Sequence, residues 1–282
     1  MRLIRSVQQM AAFSLSLRRH GKSIGVVPTL GALHEGHLSL IRRAVEENEI
    51  VIVTIFVNPL QFGPGEDFAR YPRNLRRDLG LIAATKATIA FAPTARSFYP
   101  DDFQTTLDVG KLTELWEGRF RPGHFKGVAT VVAILFHLTC PTRAYFGQKD
   151  YQQVLVIKQM VKDLLLPISI RMLPTVRERD GLALSSRNQY LSPTERHQAA
   201  ALFQALSVAR RQIRSGQRNV ARLLATMRAQ IRTQSKARVD YVAIVDAQTL
   251  RAIPRIRGRV ALLAAVWIGR TRLIDNLLVE VS

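Results

Sequence analysis

Residues 25–37 read Gly25-Val26-Val27-Pro28-Thr29-Leu30-Gly31-Ala32-Leu33-His34-Glu35-Gly36-His37. The run 25–29 is short, apolar and bounded by a turn signal, as a parallel strand buried on both faces is. Residues 38–47 follow with apolar positions at helical spacing. A strand, a glycine-containing turn and a helix start place backbone N–H groups and a helix N-terminus at the carboxyl edge of a sheet, where anions bind in such folds. The segment therefore reads as a phosphate site holding two imidazoles, with Gly36 between them leaving room for a phosphate or a ribose near the backbone. Two other readings stay open on these residues alone. His34 and His37 could pair on a metal, although no nearby carboxylate or third histidine has ligand spacing, or they could be structural.

The same texture recurs outward from this stretch. Residues 50–58, 88–93, 144–147 and 168–175 are further short apolar runs. Amphipathic stretches over 38–47, 75–84, 127–138 and 151–165 separate strand candidates at the distance of βαβ crossovers. This predicts an α/β fold, a Rossmann-like doubly wound parallel sheet over residues 1–176, with residues 1–20 helical. Past 176 the pattern changes. Ser192-Pro193-Thr194-Glu195 has the N-cap, the proline at the first position and the glutamate at the third of a helix start. It predicts a helix to about residue 214, ended by Gly216, then a helix over 220–233 and strands over 239–246, 260–267 and 277–281. Residues 177–282 are thus expected to form a smaller C-terminal α+β domain that closes over the site.

Composition narrows the class. The 282 residues include 47% apolar and 22% charged residues, 12 Pro and 16 Gly, which is a folded globular chain and neither a disordered nor a fibrous one. A single cysteine, Cys140, excludes a disulfide framework and reads as a buried packing residue in a reducing compartment. The longest apolar run, 127–140, contains His137 and falls short of the ~20 residues that span a bilayer, and residues 1–20 lack a small-residue cleavage site. No membrane association is expected, and a cytoplasmic location is. The net charge is +20, of which residues 196–282 contribute +12. Arginines in 210–238 are interspersed with apolar residues as on a solvated amphipathic helix, so a nucleic-acid partner is not expected and this charge should be dispensable for catalysis.

The spacing His-x-Gly-His after a strand resembles the nucleotidylyltransferase superfamily. Further stretches narrow the resemblance: Phe56-Val57-Asn58-Pro59-Leu60-Gln61-Phe62-Gly63, Tyr71-Pro72-Arg73, Arg121-Pro122-Gly123-His124-Phe125-Lys126-Gly127, Phe146-Gly147-Gln148-Lys149-Asp150-Tyr151-Gln152-Gln153 and Arg179-Asp180-Gly181-Leu182-Ala183-Leu184-Ser185-Ser186-Arg187-Asn188. Together they resemble the pantothenate synthetase (pantoate–β-alanine ligase) family, and Asp240-Tyr241 and Arg272-Leu273-Ile274-Asp275-Asn276 extend the resemblance over nearly the whole chain. It implies an AMP-forming carbon–nitrogen ligase of pantothenate biosynthesis, the route to coenzyme A. Such an enzyme condenses (R)-pantoate with β-alanine through a pantoyl adenylate, releasing AMP and pyrophosphate, with Mg²⁺ carried by ATP and no metal held directly by the protein.

By that resemblance His37, His34 and Lys149 are catalytic. Leu30, Gly31, Ala32, Leu33, Glu35, Gly36, Gly147, Gln148, Asp150, Val176, Leu184, Ser185, Ser186 and Arg187 join them in binding ATP, Asp150 and Gly147 at the ribose and the backbone at Val176 at the adenine. Gln61 and Gln153 bind pantoate, where neutral amides orient a carboxylate without an ion pair that would weaken it as a nucleophile. A homodimer is also implied. Leu30 and Leu184 stand where the family pattern leads one to expect Met, a volume-conserving change. Two other functions compete: a nucleotidylyltransferase acting on a phosphorylated acceptor, for which Gln61 and Gln153 would be better as Arg or Lys, and an RNA-binding module, for which an aromatic-basic surface is missing. His124 could serve the site or a packing network.

Overall fold

Six strands, all parallel, form one sheet: β1 (Arg2–Ile4), β2 (Ile24–Thr29), β3 (Ile50–Ile55), β4 (Ile89–Phe91), β5 (Arg143–Gly147) and β6 (Ser169–Leu173), in the order β1-β4-β3-β2-β5-β6. In sequence between them run α1 (Val7–Arg19), α2 (Glu35–Glu47), α3 (Leu75–Ala84), α4 (Ala95–Phe98), α5 (Trp116–Phe120), α6 (His124–Thr139) and α7 (Tyr151–Asp163). Then follow α8 (Pro193–Ala199), α9 (Ala201–Arg214), α10 (Val220–Arg232) and the antiparallel strands β7 (Ala237–Asp246), β8 (Gly258–Ile268) and β9 (Thr271–Val281). These elements come from a computed structural model that describes residues 1–281.

The chain divides into two compact units. The first comprises Met1–Glu114, Arg121–Gly147 and Gln153–Pro174; the second comprises Leu115–Phe120, Gln148–Gln152 and the chain from Thr175 onward. In the first, the period of two along the strands sorts side chains onto two covered faces. Val26, Ile52, Phe91 and Phe146 pack with Val128 and Val132 of α6 and Ile157 of α7, whereas Val27, Val53, Ala90 and Tyr145 pack with Ile41 of α2 and Ile82 of α3. The chain leaves β2 toward β3 and β4 on one side and reaches β5 and β6 on the other. The crevice at the carboxyl ends of β2 and β5 is thus the point where ligands bind in doubly wound sheets. In the second unit, α9 and α10 cover one face of β7-β8-β9 with Leu202, Leu206, Leu223 and Met227 against Val242, Leu262 and Leu277.

The α/β fold with a smaller antiparallel unit matches the sequence reading, with local differences. The first residues are not helical throughout: Arg2–Ile4 forms an edge strand beside β4, of which only Ile4 is buried, too short for a periodic signal. The strand expected over 50–58 ends at Ile55, because Asn58 caps a 3-10 turn over Pro59–Gln61. The helix expected to 214 starts at the Ser192–Glu195 capping box but is divided at Ala200. The strand expected over 277–281 begins at Thr271; the polar pairs Thr271-Arg272 and Asp275-Asn276 break the apolar pattern of its first half. Cys140, expected to be buried, is a half-exposed left-handed C-cap of α6, with φ 44°.

Candidate active site

The turn after β2 is held from below. Asp78 of α3, fully buried, accepts N–H bonds from Ala32 and Leu33, each 2.9 Å, while Thr29 Oγ1 accepts from Gly31 N at 3.1 Å. Gly31 takes φ +82°, a conformation that favours glycine, and a Cβ there would press on the Asp78 and Ile55 side chains at 3.1 Å. These amides are engaged inside the turn. An anion at this edge would therefore be met chiefly by the next residues and not by the N–H groups of 31–33, as the strand-turn-helix reading supposes.

The next residues are the histidines. His34 is the N-cap of α2 and His37 its third residue, and the two form a reciprocal capping box: His34 Nδ1 accepts from Gly36 N at 3.2 Å, and His37 Nδ1 accepts from His34 N at 3.3 Å. An imidazole nitrogen that accepts carries no proton, so each ring is neutral and bears its proton on Nε2. The ring centroids lie 4.1 Å apart. The spacing thus fixes a helix start and orients a pair of N–H donors, with the positive end of the α2 dipole behind them. Glu35, beside them, is turned to an ion pair with Arg42, which holds its carboxyl below the usual range.

Gln61 lies in the turn after β3 and is buried. Asn58 Nδ2 donates to Gln61 Oε1 and to Gly127 O, both at 3.1 Å, and Tyr99 donates its hydroxyl to Asn58 Oδ1 at 2.8 Å. The Gln61 carbonyl accepts from His124 Nδ1 at 2.8 Å and from Arg121 Nη2 at 3.3 Å, and Arg121 Nη1 lies 3.1 Å from His124 Nε2. Because a carbonyl only accepts and a guanidinium only donates, His124 carries its proton on Nδ1. Glu66 closes the network with a two-pronged contact to Arg121 at 2.8 and 2.7 Å. Burial alone would push the Glu66 carboxyl up; Arg121 outweighs it and holds the carboxyl below its usual value. His124 belongs to a buried hydrogen-bond network that holds the Gln61 backbone. Asn58, Arg121, Glu66 and Gly127 were not singled out from sequence, although all but Glu66 lie inside the quoted motifs.

In the second unit, residues 148–150 form a 3-10 turn in which Lys149 Nζ donates to Asp150 Oδ1 at 3.2 Å. Asn276 of β9 donates to the carbonyls of Gln148 and Lys149 at 2.9 and 2.8 Å. Val176 and Leu184 are joined by a 3.0 Å backbone bond across a hairpin that leads into Ser185, whose Oγ caps the Ser186–Tyr190 turn by accepting from Arg187 N at 3.2 Å. Arg272 bridges Glu117 at 2.5 Å and Asp240 at 2.7 Å, and Gln152, next to the expected Gln153, is buried with its amide bonded to Glu117 N and Leu115 O. Leu30 to His37, Gln61, Gly147 and Gln153 thus stand in the first unit, and Gln148 to Asp150, Val176 and Leu184 to Arg187 in the second.

The basic segment is only partly a solvated face. Arg196 pairs with Asp180 and Glu178, both at 2.6 Å, and Arg218, half-buried, donates to Ile213 O at 2.6 Å where α9 ends. Among the described residues no three His, Cys, Asp or Glu side chains are grouped as metal ligands, and no helix is long and apolar enough to cross a membrane.

Comparison with known proteins places the sequence and the fold together. Residues 2–278 match the family model described as pantoate-beta-alanine ligase. A curated relative, the pantothenate synthetase of Moorella thermoacetica, is 52% identical over 282 residues, the full length of both chains. The crystal structure of pantothenate synthetase from Thermus thermophilus superposes with a TM-score of 0.94 at 48% identity, covering 98% of this chain and 99% of that one. The pantoate-beta-alanine ligase of Francisella tularensis, solved with beta-gamma ATP and beta-alanine, superposes with a TM-score of 0.82 at 36% identity over 99% of this chain and 97% of that one. With the family model matched over residues 2–278 and a relative 52% identical over the full length of both chains, the chain belongs to the pantoate-beta-alanine ligase family.

Proposed function

We propose that this chain joins pantoate to β-alanine at the expense of ATP, through a pantoyl adenylate, in pantothenate biosynthesis. The observation that carries the reading is the neutral His34/His37 pair, each ring held by a backbone N–H on Nδ1 so that Nε2–H is the donor. Attack of the pantoate carboxylate on the α-phosphorus builds negative charge on the phosphate oxygens as the bond to pyrophosphate breaks, and preorganised donors lower that barrier without an enzyme nucleophile. His34 and His37 supply them at the α- and β-phosphates. Lys149 neutralises the departing pyrophosphate, and Ser185, Ser186 and Arg187 hold its outer oxygens. Gly147, where a Cβ would meet nothing within 4 Å, lets the ribose approach, with Asp150 accepting its hydroxyls and the Val176 backbone at the adenine.

Gln61 offers pantoate its Nε2 hydrogens, Oε1 being engaged by Asn58, and Gln153 offers a second amide. The β-alanine amine then attacks the acyl carbon, and the acyl–oxygen bond breaks with AMP as leaving group. Mg²⁺ enters as part of the ATP substrate and spreads the triphosphate charge. By family likeness the enzyme works as a cytoplasmic homodimer. Incubation with ATP, Mg²⁺, pantoate and β-alanine tests the reading: AMP and pyrophosphate should form together only when both acids are present. Stoichiometric ADP and phosphate would refute it.

A further inference from the structure

Asp275 and Asn276, adjacent on β9, are both buried, yet neither has a place in the chemistry above. Every polar atom of the Asn276 amide is engaged by the turn that carries Lys149. Its Nδ2 donates to two successive carbonyls, Gln148 O at 2.9 Å and Lys149 O at 2.8 Å, and its Oδ1 accepts from Gln148 Nε2 at 3.2 Å. Only an asparagine satisfies this set from that position: aspartate would turn a carboxylate on two carbonyl oxygens, and glutamine is one methylene too long.

Asp275 faces the other segment. Its oxygens accept from Arg177 Nη1 at 2.6 Å and Nη2 at 2.9 Å, and Oδ1 accepts also from Asn276 N at 2.7 Å. Arg177 in turn donates to Gly181 O at 3.0 Å, and its guanidinium lies 4.3 Å from the Phe203 ring centroid. Gly181 is at the end of the hairpin whose other strand leads to Ser185, and a Cβ there would fall 2.0 Å from Phe203. The hairpin is therefore clamped at its tip.

We propose that the Asp275-Asn276 pair is the positioning element for the anion-handling segments of this unit: Asn276 sets the 148–150 turn that aims Lys149, and Asp275, through Arg177, sets the hairpin that delivers Ser185, Ser186 and Arg187. The inference rests on the assignment of Lys149 to the departing pyrophosphate. A residue that acts in this way affects the adenylation step through Lys149, whereas a residue that only stabilises the fold leaves turnover per folded molecule unchanged.

The test is a double-mutant cycle of Asn276→Ala and Lys149→Ala, read as pantoate-dependent exchange of labelled pyrophosphate into ATP per folded enzyme, with thermal midpoints alongside. Asn276→Ala should lower exchange roughly 10²-fold, since a displacement near 1 Å at a charge-stabilising group has that effect. The KM for pantoate should stay at the parent value. On the Lys149→Ala background the same change should cost less than about threefold, because coupled residues are not additive. Asn276→Ser, which keeps one donor, serves if the alanine variant does not fold, and it should retain intermediate exchange. Equal losses on the two backgrounds, or parent-like exchange in Asn276→Ala, would overturn the inference while leaving the role of Lys149 intact. Parent-like exchange in Lys149→Ala would instead overturn the assignment on which it rests.

Discussion

Gly127 of α6 offers a perturbation whose size is set by the structure. A Cβ at that position would lie 2.1 Å from Leu60 O, 2.4 Å from Leu60 C and 2.7 Å from Gln61 N, all backbone atoms of the turn that carries Gln61. Relief to the 3.0 Å that real Cβ contacts respect requires the turn and helix to separate by about 0.9 Å, the difference of the two distances. Overpacking of this kind costs about 1–3 kcal/mol, partly offset by the ~1 kcal/mol that alanine gains over glycine inside a helix. The fold should therefore survive Gly127→Ala. The turn cannot stay where it is, however, because the new Cβ would overlap the Leu60 backbone, and its displacement strains the Asn58 and His124 bonds that tie it to the same helix. A shift near 1 Å in a substrate-orienting group lowers reaction rates by about 10²-fold. Steady-state exchange with pantoate varied should show kcat/KM for pantoate down by that order while ATP binding, measured by calorimetry, is retained. If kcat/KM for pantoate stayed within about threefold of the parent, Gln61 would not be positioned by this contact and the reasoning would fail.

His37→Ala should lower the adenylation rate about 10²- to 10³-fold, as removal of one preorganised donor does, with a stability cost of about 1 kcal/mol from the lost cap; near-normal pyrophosphate release would remove His37 from the chemistry. Gln61→Ala or Gln153→Ala should raise the KM for pantoate and spare ATP, and together they should erase about 1–3 kcal/mol of discrimination against an analogue lacking the 2-hydroxyl. The Glu66 carboxyl is held below its usual 4.5, so its ion pair stabilises the fold above that value and is lost as pH falls through the lowered one. Glu66→Gln should thus melt below the parent at pH 7, with the gap closing in acid; a gap that persisted at low pH would refute the pairing. Arg214→Gln and Arg222→Gln should leave turnover unchanged at moderate salt, whereas Arg218→Gln should cost about 1 kcal/mol in denaturant unfolding through its lost bond to Ile213 O.

The elements that sequence reveals and those it hides differ in the range of the interactions that create them. Buried strands such as Ile50–Ile55 and caps such as Ser192 with Glu195 are written in neighbouring residues, so period and spacing expose them. The His34/His37 pair was visible as a spacing, but its reciprocal capping, which fixes both ring tautomers, follows from where α2 begins, three residues earlier than the apolar pattern over 38–47 indicates. Asp78 reaches back 46 residues to hold Ala32, and His124 reaches 63 to hold Gln61. Such contacts leave no local signature. Asn276 stands in a stretch that the family resemblance includes, but its bonds to Gln148 and Lys149, 128 and 127 residues away, leave no local signature.

The central claim is that the pantoate carboxylate attacks the α-phosphorus of ATP. Pantoate labelled with ¹⁸O in both carboxylate oxygens should pass one label to AMP and keep the other in the amide carbonyl of pantothenate, as read by mass spectrometry of the two products. Label-free AMP, or label found in phosphate or pyrophosphate, would contradict it.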